Sequence, residues 1–229
     1  MDVPSQADPK PLSLARRTWL LAEMGMLFLL APLGIYALVH IGRLPLLHVL
    51  LPVFVLFVLA LSLDRTFSWR EQLWAGIPLA QLRQILVKFA VIGGAIALYA
   101  YLWTPESFLA FPRYRPELWM TVMLFYPLIS VTTQEIIYRV FFAHRYAALF
   151  AGNLWLVVTV NAALFGFSHI IFESWVAVIG SFAGGLIFAY RYFAGRTFWG
   201  VMLEHSLYGN LIFTAGLGRY FFTGVSSFG

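Results

Sequence analysis

The sequence contains no cysteine and very little charge. The absence of cysteine excludes disulfide bonds and a thiol nucleophile. Only 11% of the 229 residues are charged, whereas soluble domains carry about 25% charged residues. Because 61% of the residues are hydrophobic, the chain has too few polar groups to cover a water-exposed surface. We therefore interpret it as an integral membrane protein.

The chain also has no evident internal repeat and no long polar linker. The missing repeat counts against a proton-coupled transporter built from inverted halves. The first 17 residues are polar and predict a cytoplasmic N-terminal tail, and the missing linker predicts a single membrane domain at 18–229. The net charge of +5 is spread over short loops, so we assign it to topology and lipid headgroups and expect no nucleic-acid partner.

Apolar runs predict an all-α, polytopic membrane bundle of about seven or eight transmembrane helices. A spanning helix needs about 20 apolar residues. Pro127 allows a break in the long fourth run, which would add an eighth helix. Residues 67–83 fit either an interfacial helix or an ordinary loop. Basic residues cluster on the loops that share a side with the N-terminus, which predicts a cytoplasmic N-terminus. The predicted spans are 18–40, 45–63, 85–103, 118–147, 154–172, 174–193 and 197–217.

Ionisable side chains inside an apolar run form the first candidate site. Gln134, Glu135 and Arg139 lie in the sequence Thr-Thr-Gln-Glu-Ile-Ile-Tyr-Arg. Glu135 and Arg139 are four residues apart and share one face of a helix. Such groups are costly in hydrocarbon and rarely face lipid. They predict either a polar active-site wall or an ion pair that joins two helices.

Two histidines in later apolar runs extend this site. His169 ends the sequence Phe-Gly-Phe-Ser-His, and His205 lies in Glu-His-Ser-Leu-Tyr-Gly-Asn. Imidazole is suited to proton transfer near neutral pH. Because the two histidines lie on separate helices, they favour a shared cavity. Asn210 could donate its amide to a developing oxyanion, although a step of five residues rotates it away from the His205 face.

The order and spacing of these motifs resemble the CPBP family, also called the CAAX-protease or Abi family, of intramembrane endopeptidases. Its pattern is Glu-Glu-x-x-x-Arg, then Phe-x-x-x-His, then His-x-x-x-Asn, on successive membrane helices. The resemblance covers about residues 118–217 and implies a bundle of about eight helices with a polar cavity inside the bilayer. The matching residues are Glu135, Arg139, Phe165, His169 and His205.

The resemblance implies hydrolysis of a peptide bond in a membrane-embedded or lipidated protein or peptide. In the family, the first Glu activates a water, the first His assists, and the second His and the Asn hold the oxyanion. Members are often labelled metalloproteases, although a metal-free route is favoured. The short loops fit a protein of a bacterial inner membrane. The implied catalytic residues here are Gln134, Glu135, Arg139, His169, His205 and Asn210.

The first departure from the family pattern is Gln134, which occupies the position of the first Glu. A neutral amide cannot take a proton from water, so Gln134 cannot be the general base. Glu135 is the first substitute base and Glu204 the second. The alternative is a non-catalytic membrane scaffold or binding protein that kept the fold.

The second departure is Gly209, which occupies the family's Asn position, with Asn210 one residue further on. A wide turn at Gly209 would return Asn210 to the cavity. Otherwise Tyr208 would replace it as a donor.

We expect no cofactor. Zinc is the weaker alternative, because His and Glu side chains at helical spacing can ligate it. The sequence has no His-Glu-x-x-His motif. The residues that would ligate zinc are His169, Glu173, Glu204 and His205.

Overall fold

The computed structural model describes residues 12–221, so most of the predicted tail and the last eight positions lie outside the described residues. Throughout residues 12–221 the regular secondary structure is helical, which confirms the predicted all-α class. The helices are α1 Leu14–His40, α2 Leu46–Leu63, α3 Trp69–Trp74, α4 Leu79–Trp103, α5 Ala110–Tyr114, α6 Pro116–Phe150, α7 Leu154–Phe172, α8 Trp175–Gly195 and α9 Phe198–Thr214, with a final 3₁₀ turn at Leu217–Phe221.

Six of these helices are long and apolar enough to cross a membrane: α1, α2, α4, α6, α7 and α8. The predicted seventh span corresponds to α9, which has 17 residues and packs between α4 and α8. Large apolar side chains cover the outside of the bundle; Leu56 is 65% exposed and Trp175 is 79% exposed. This apolar exterior supports an integral membrane protein, while the count of seven or eight spans and the cytoplasmic N-terminus stay predictions.

The long helix α6 carries Gln134, Glu135 and Arg139, the polar residues of the first motif. It continues through Pro127 and widens there into a π-helical turn at Tyr126–Val131, so the predicted break is a local widening. Proline has no N–H to donate to the carbonyl four residues before it, which is that of Met123. The side chain of Asn210 donates to this carbonyl instead, at 3.2 Å. A second π-helical turn follows at Ile136–Phe141.

Close helix packing sets the spacing of α7 and α8. A Cβ at Gly185 would lie 3.1 Å from the Ala162 main chain, and one at Gly166 would lie 2.8 Å from Phe182 Cβ. Small residues let two membrane helices approach this closely. Gly185 of α8 and Gly166 of α7 therefore allow these two helices to pack closely within the chain.

Polar contacts tie the end of α6 to α1 and α2. Arg145 donates twice to the Glu23 carboxylate, at 2.7 Å each. His144 Nε2 lies 3.0 Å from Asp64 Oδ2, just after α2. Hydrogen bonds from Thr66, and then from His144, hold the pKa of Asp64 well below its usual range. The predicted 67–83 segment contains α3 and the start of α4.

Candidate active site

A fully buried carboxylate lies at the centre of the candidate site. Glu135 has no exposed surface, and its Oε1 lies 2.7 Å from Nδ1 of His205 on α9. Its Oε2 lies 3.3 Å from Nε of Arg139, one helical turn further along α6. This second contact lacks hydrogen-bond alignment, so it is a Coulombic pair. Since a carboxylate only accepts, Nδ1 of His205 carries a proton.

Arg139 is held from a second side by a residue that the sequence analysis did not select. Its Nη1 donates to Asn161 Oδ1 at 2.6 Å, and the Asn161 amide donates to the Tyr138 carbonyl at 2.6 Å. The guanidinium also lies 4.9 Å from the ring centroid of Phe165. Asn161 is a wholly buried amide in an apolar run of α7, and that placement was the signal that could have found it.

His169 stands where α7 tightens into its final 3₁₀ turn. The main-chain N–H of His169 bonds to Gly166, which leaves the Phe165 carbonyl available to side chains. Nδ1 of His169 lies 2.8 Å from that carbonyl. A carbonyl can only accept, so Nδ1 carries the proton and, in the neutral ring, Nε2 carries the lone pair.

One cavity of about 960 Å³ joins the two histidines. His169, His205 and Gln134 all line it, together with Ser130, which accepts a hydrogen bond from Gln134 Nε2 at 2.8 Å. The Gln134 Oε1 atom is buried and has no hydrogen-bond partner among the described residues. The walls beyond this polar end are mostly apolar side chains of α4, α8 and α9. The polar end of the cavity therefore offers an amide and two imidazoles to one bound molecule.

Phenylalanine side chains fix the plane of the His205 ring. Phe188 of α8 stacks on it with ring centroids 4.4 Å apart, and Phe165 meets it edge-on at 5.7 Å. With Nδ1 bonded to Glu135, the Nε2 atom is directed to the cavity side, where the hydroxyl of Tyr126 lies 3.4 Å away. His205 thus has one orientation, set by its hydrogen bond to Glu135 and by packing.

The structure brings together five of the six predicted site residues. Gln134, His169 and His205 line the cavity, whereas Glu135 and Arg139 lie behind His205 and do not. Asn210 is not brought to the cavity, because its amide is bonded to the carbonyl freed by Pro127. The wide turn that would return Asn210 to the cavity is absent, since α9 continues regularly through Gly209.

Glu204, the second substitute base, points away from this site. It is fully buried, its Oε2 lies 2.8 Å from Arg191 Nε and its Oε1 lies 3.2 Å from Lys88 Nζ. Glu173, a possible zinc ligand, accepts a hydrogen bond from Tyr36 at 2.6 Å. Within residues 12–221, no three His, Asp or Glu side chains are grouped so as to hold a metal ion. The four alternative zinc ligands therefore do not form one group.

Comparison with known proteins identifies the segment that carries this site. A family model described as "Type II CAAX prenyl endopeptidase Rce1-like" matches residues 116–211, which run from the start of α6 into α9. No curated protein and no solved structure matches the chain. The resemblance predicted from the three motifs is thus confirmed over residues 116–211, where the chain is similar to the CAAX-protease family.

Proposed function

We propose that this protein is an intramembrane endopeptidase that hydrolyses a peptide bond in a membrane-associated protein or peptide. The observation that carries the proposal is the shared cavity: His169 and His205 line it with Gln134, and a buried carboxylate backs His205. The family match supports the reaction class. The hydrogen bonds of each side chain support a role for each of these residues.

His169 serves as the general base. Its Nδ1–H is bonded to the Phe165 carbonyl, so its lone pair on Nε2 is free to take a proton from water. Gln134 cannot accept that proton, because it is a neutral amide, and its Nε2 donates to Ser130. Glu135 is sealed behind His205, so it acts on that ring and not on the water.

His205 stabilises the negative charge that develops on the substrate oxygen. Glu135 accepts its Nδ1–H and thereby directs Nε2 at the cavity. In the doubly protonated ring, the Nε2–H group faces the cavity and can donate to an oxyanion. Such preorganised donors are worth more in a site that excludes bulk water.

The reaction balances with these groups and water alone. The water oxygen bonds to the carbonyl carbon, its proton moves to Nε2 of His169, and the carbonyl π electrons become the oxyanion near His205. When the oxyanion reforms the carbonyl, the C–N bond breaks and the leaving amine takes the proton from His169. Both histidines return to their starting states.

The cavity suits a substrate that carries an apolar or lipidated segment. Its walls are mostly aliphatic and aromatic, and it opens at exposed residues of the α1–α2 connection and the first turn of α2, including Arg43 and His48. With a cytoplasmic N-terminus, this opening faces the other side of the membrane. A bacterial inner membrane fits the short loops. We propose a prenylated peptide as the first probe, because the matching family model is named for such substrates.

The test is hydrolysis of a farnesylated, fluorescence-quenched peptide by the purified protein in detergent. We expect wild type to cleave it, and His169→Ala and His205→Ala each to lower kcat by about 10²–10⁴-fold. His144→Ala is the matched control, because this histidine pairs with Asp64 at the far end of α6. Unchanged turnover in both cavity variants would exclude the proposed mechanism.

Gln134 favours a second candidate, a non-catalytic membrane scaffold that binds a protein through the same cavity. The amide at this position is bonded to Ser130 and cannot activate water. Such a protein would bind the probe without cleaving it, which the same assay detects as saturable binding with no product.

A further inference from the structure

Tyr126 is a cavity residue that the family motifs do not include. It is the first residue of the π-helical turn Tyr126–Val131, and its ring leans onto α9, where it meets Phe213 edge-on with centroids 5.1 Å apart. Its hydroxyl lies 3.4 Å from Nε2 of His205. Both side chains line the same cavity. The Tyr126 hydroxyl therefore lies beside the His205 imidazole, on the side where a substrate would bind.

Gly209 makes this position of the ring possible. A Cβ at Gly209 would lie 2.6 Å from Cζ of Tyr126 and would overlap the rest of the ring edge. No side chain larger than hydrogen fits without moving the ring, so the glycine and the tyrosine require each other. The same glycine is the position at which the resemblance expects an amide donor.

The hydroxyl of Tyr126 is available to a ligand. Its contact with His205 is at the long end of the range for hydrogen bonds and is correspondingly weak. The hydroxyl can therefore turn to a ligand oxygen at little cost. Asn210 does not line the cavity, and its amide donates to the Met123 carbonyl instead.

We propose that the Tyr126 hydroxyl is the second donor of the oxyanion site, next to Nε2 of His205. The inference rests on the proposed endopeptidase function and adds a catalytic residue to it. The two donors would hold a tetrahedral oxyanion from adjacent positions, which is the arrangement that stabilises acyl-transfer transition states. A planar amide oxygen gains less, since the donors match the tetrahedral geometry.

The first experiment measures binding and needs no turnover. The probes are a farnesylated peptide and its phosphinate isostere, in which a tetrahedral anion replaces the scissile amide. We expect Tyr126→Phe to weaken phosphinate binding by about 10²-fold and to leave binding of the amide within about two-fold. Tyr99→Phe is the matched control, because Tyr99 is 53% exposed on the outside of α4, stacked on Trp103. Equal affinity of wild type and Tyr126→Phe for the phosphinate would overturn the assignment.

The second experiment uses the dependence of Tyr126 on Gly209. Gly209→Asn alone must displace the ring, whereas Tyr126→Ala/Gly209→Asn has room for the new amide. We expect the double variant to bind the phosphinate at least about tenfold more tightly than Tyr126→Ala alone. A purely structural role for Tyr126 predicts no such rescue, and its absence counts against the proposal.

Turnover separates this inference from the proposed function. If wild type cleaves and Tyr126→Phe loses kcat with little change in KM, both hold. If wild type cleaves and Tyr126→Phe keeps full kcat, the Tyr126 inference fails while the endopeptidase stands. If wild type does not cleave, the endopeptidase fails, and the phosphinate binding ratio still decides whether Tyr126 is an oxyanion donor. A selective loss in Tyr208→Phe instead would move the donor to Tyr208 and overturn the inference.

Discussion

Replacing Glu135 with glutamine would remove the one negative charge from the buried network and keep the shape of the side chain. Arg139 is fully buried, and its carboxylate partner lies 3.3 Å away. In Glu135→Gln the guanidinium would retain only the hydrogen bond to Asn161 and the face of Phe165. A buried charge that loses its partner costs about 3–5 kcal/mol. We expect a loss of this size in the free energy of unfolding.

A double-mutant cycle tests whether the cost comes from the unpaired charge. Arg139→Met removes the cation and keeps an apolar side chain of similar length. If charge pairing is the cause, Glu135→Gln/Arg139→Met loses less stability than the sum of the two single variants, with a coupling of about 2 kcal/mol or more. The measurement is unfolding in mixed micelles at increasing dodecyl sulfate, followed by tryptophan fluorescence.

The Glu23–Arg145 pair provides a matched control within the same chain. It has short bidentate contacts, but its side chains are 13% and 30% exposed. Glu23→Gln/Arg145→Met should show a coupling below about 1 kcal/mol, because partly exposed charges are solvated when unpaired. Additive losses at Glu135 and Arg139 would refute the reasoning. Glu135→Gln/Arg139→Met should also fail to hydrolyse the peptide, since His205 has lost its carboxylate partner.

Three further predictions concern the cavity and the topology. Gln134→Glu should raise peptide hydrolysis at least about tenfold, because a carboxylate then faces the cavity; an unchanged rate with a tightly bound partner protein would favour the scaffold. Leu44→Cys should react with a membrane-impermeant maleimide added to intact cells, whereas Ala75→Cys should react only after the cells are disrupted. Because the chain has no native cysteine, the label reports the introduced residue alone. Asn210→Ala should destabilise the fold by about 1–3 kcal/mol, because it strips the Met123 carbonyl of its donor; lost turnover in a folded variant would return Asn210 to the site.

Sequence patterns were sufficient for the features that depend on hydrophobicity and spacing. The apolar runs predicted the positions of α1, α2, α4 and α6 to α9 closely, because a helix in hydrocarbon must satisfy its own backbone. The cost of polar groups in such runs selected Glu135, His169 and His205. The i to i+4 spacing also selected Arg139 as the partner of Glu135, at the observed 3.3 Å.

Features that depend on contacts between distant residues could not be obtained in this way. The pairing of Glu204 with Arg191 and Lys88 joins three helices, and nothing in the local sequence distinguishes it from a cavity-facing acid. The same is true of Asn210, whose partner depends on which carbonyl Pro127 leaves free. The fit of Tyr126 against Gly209 likewise needs the positions of α6 and α9 in space.

Glu204 and His205 are neighbours in the chain, and together they explain how α9 is fixed. Glu204 pairs with cations of α4 and α8 on one side, and His205 pairs with Glu135 of α6 on the other. Both acids are fully buried, so their charges depend on buried partners. These contacts hold α9 from two directions. The position of the His205 ring in the cavity follows from the same contacts that hold the bundle together.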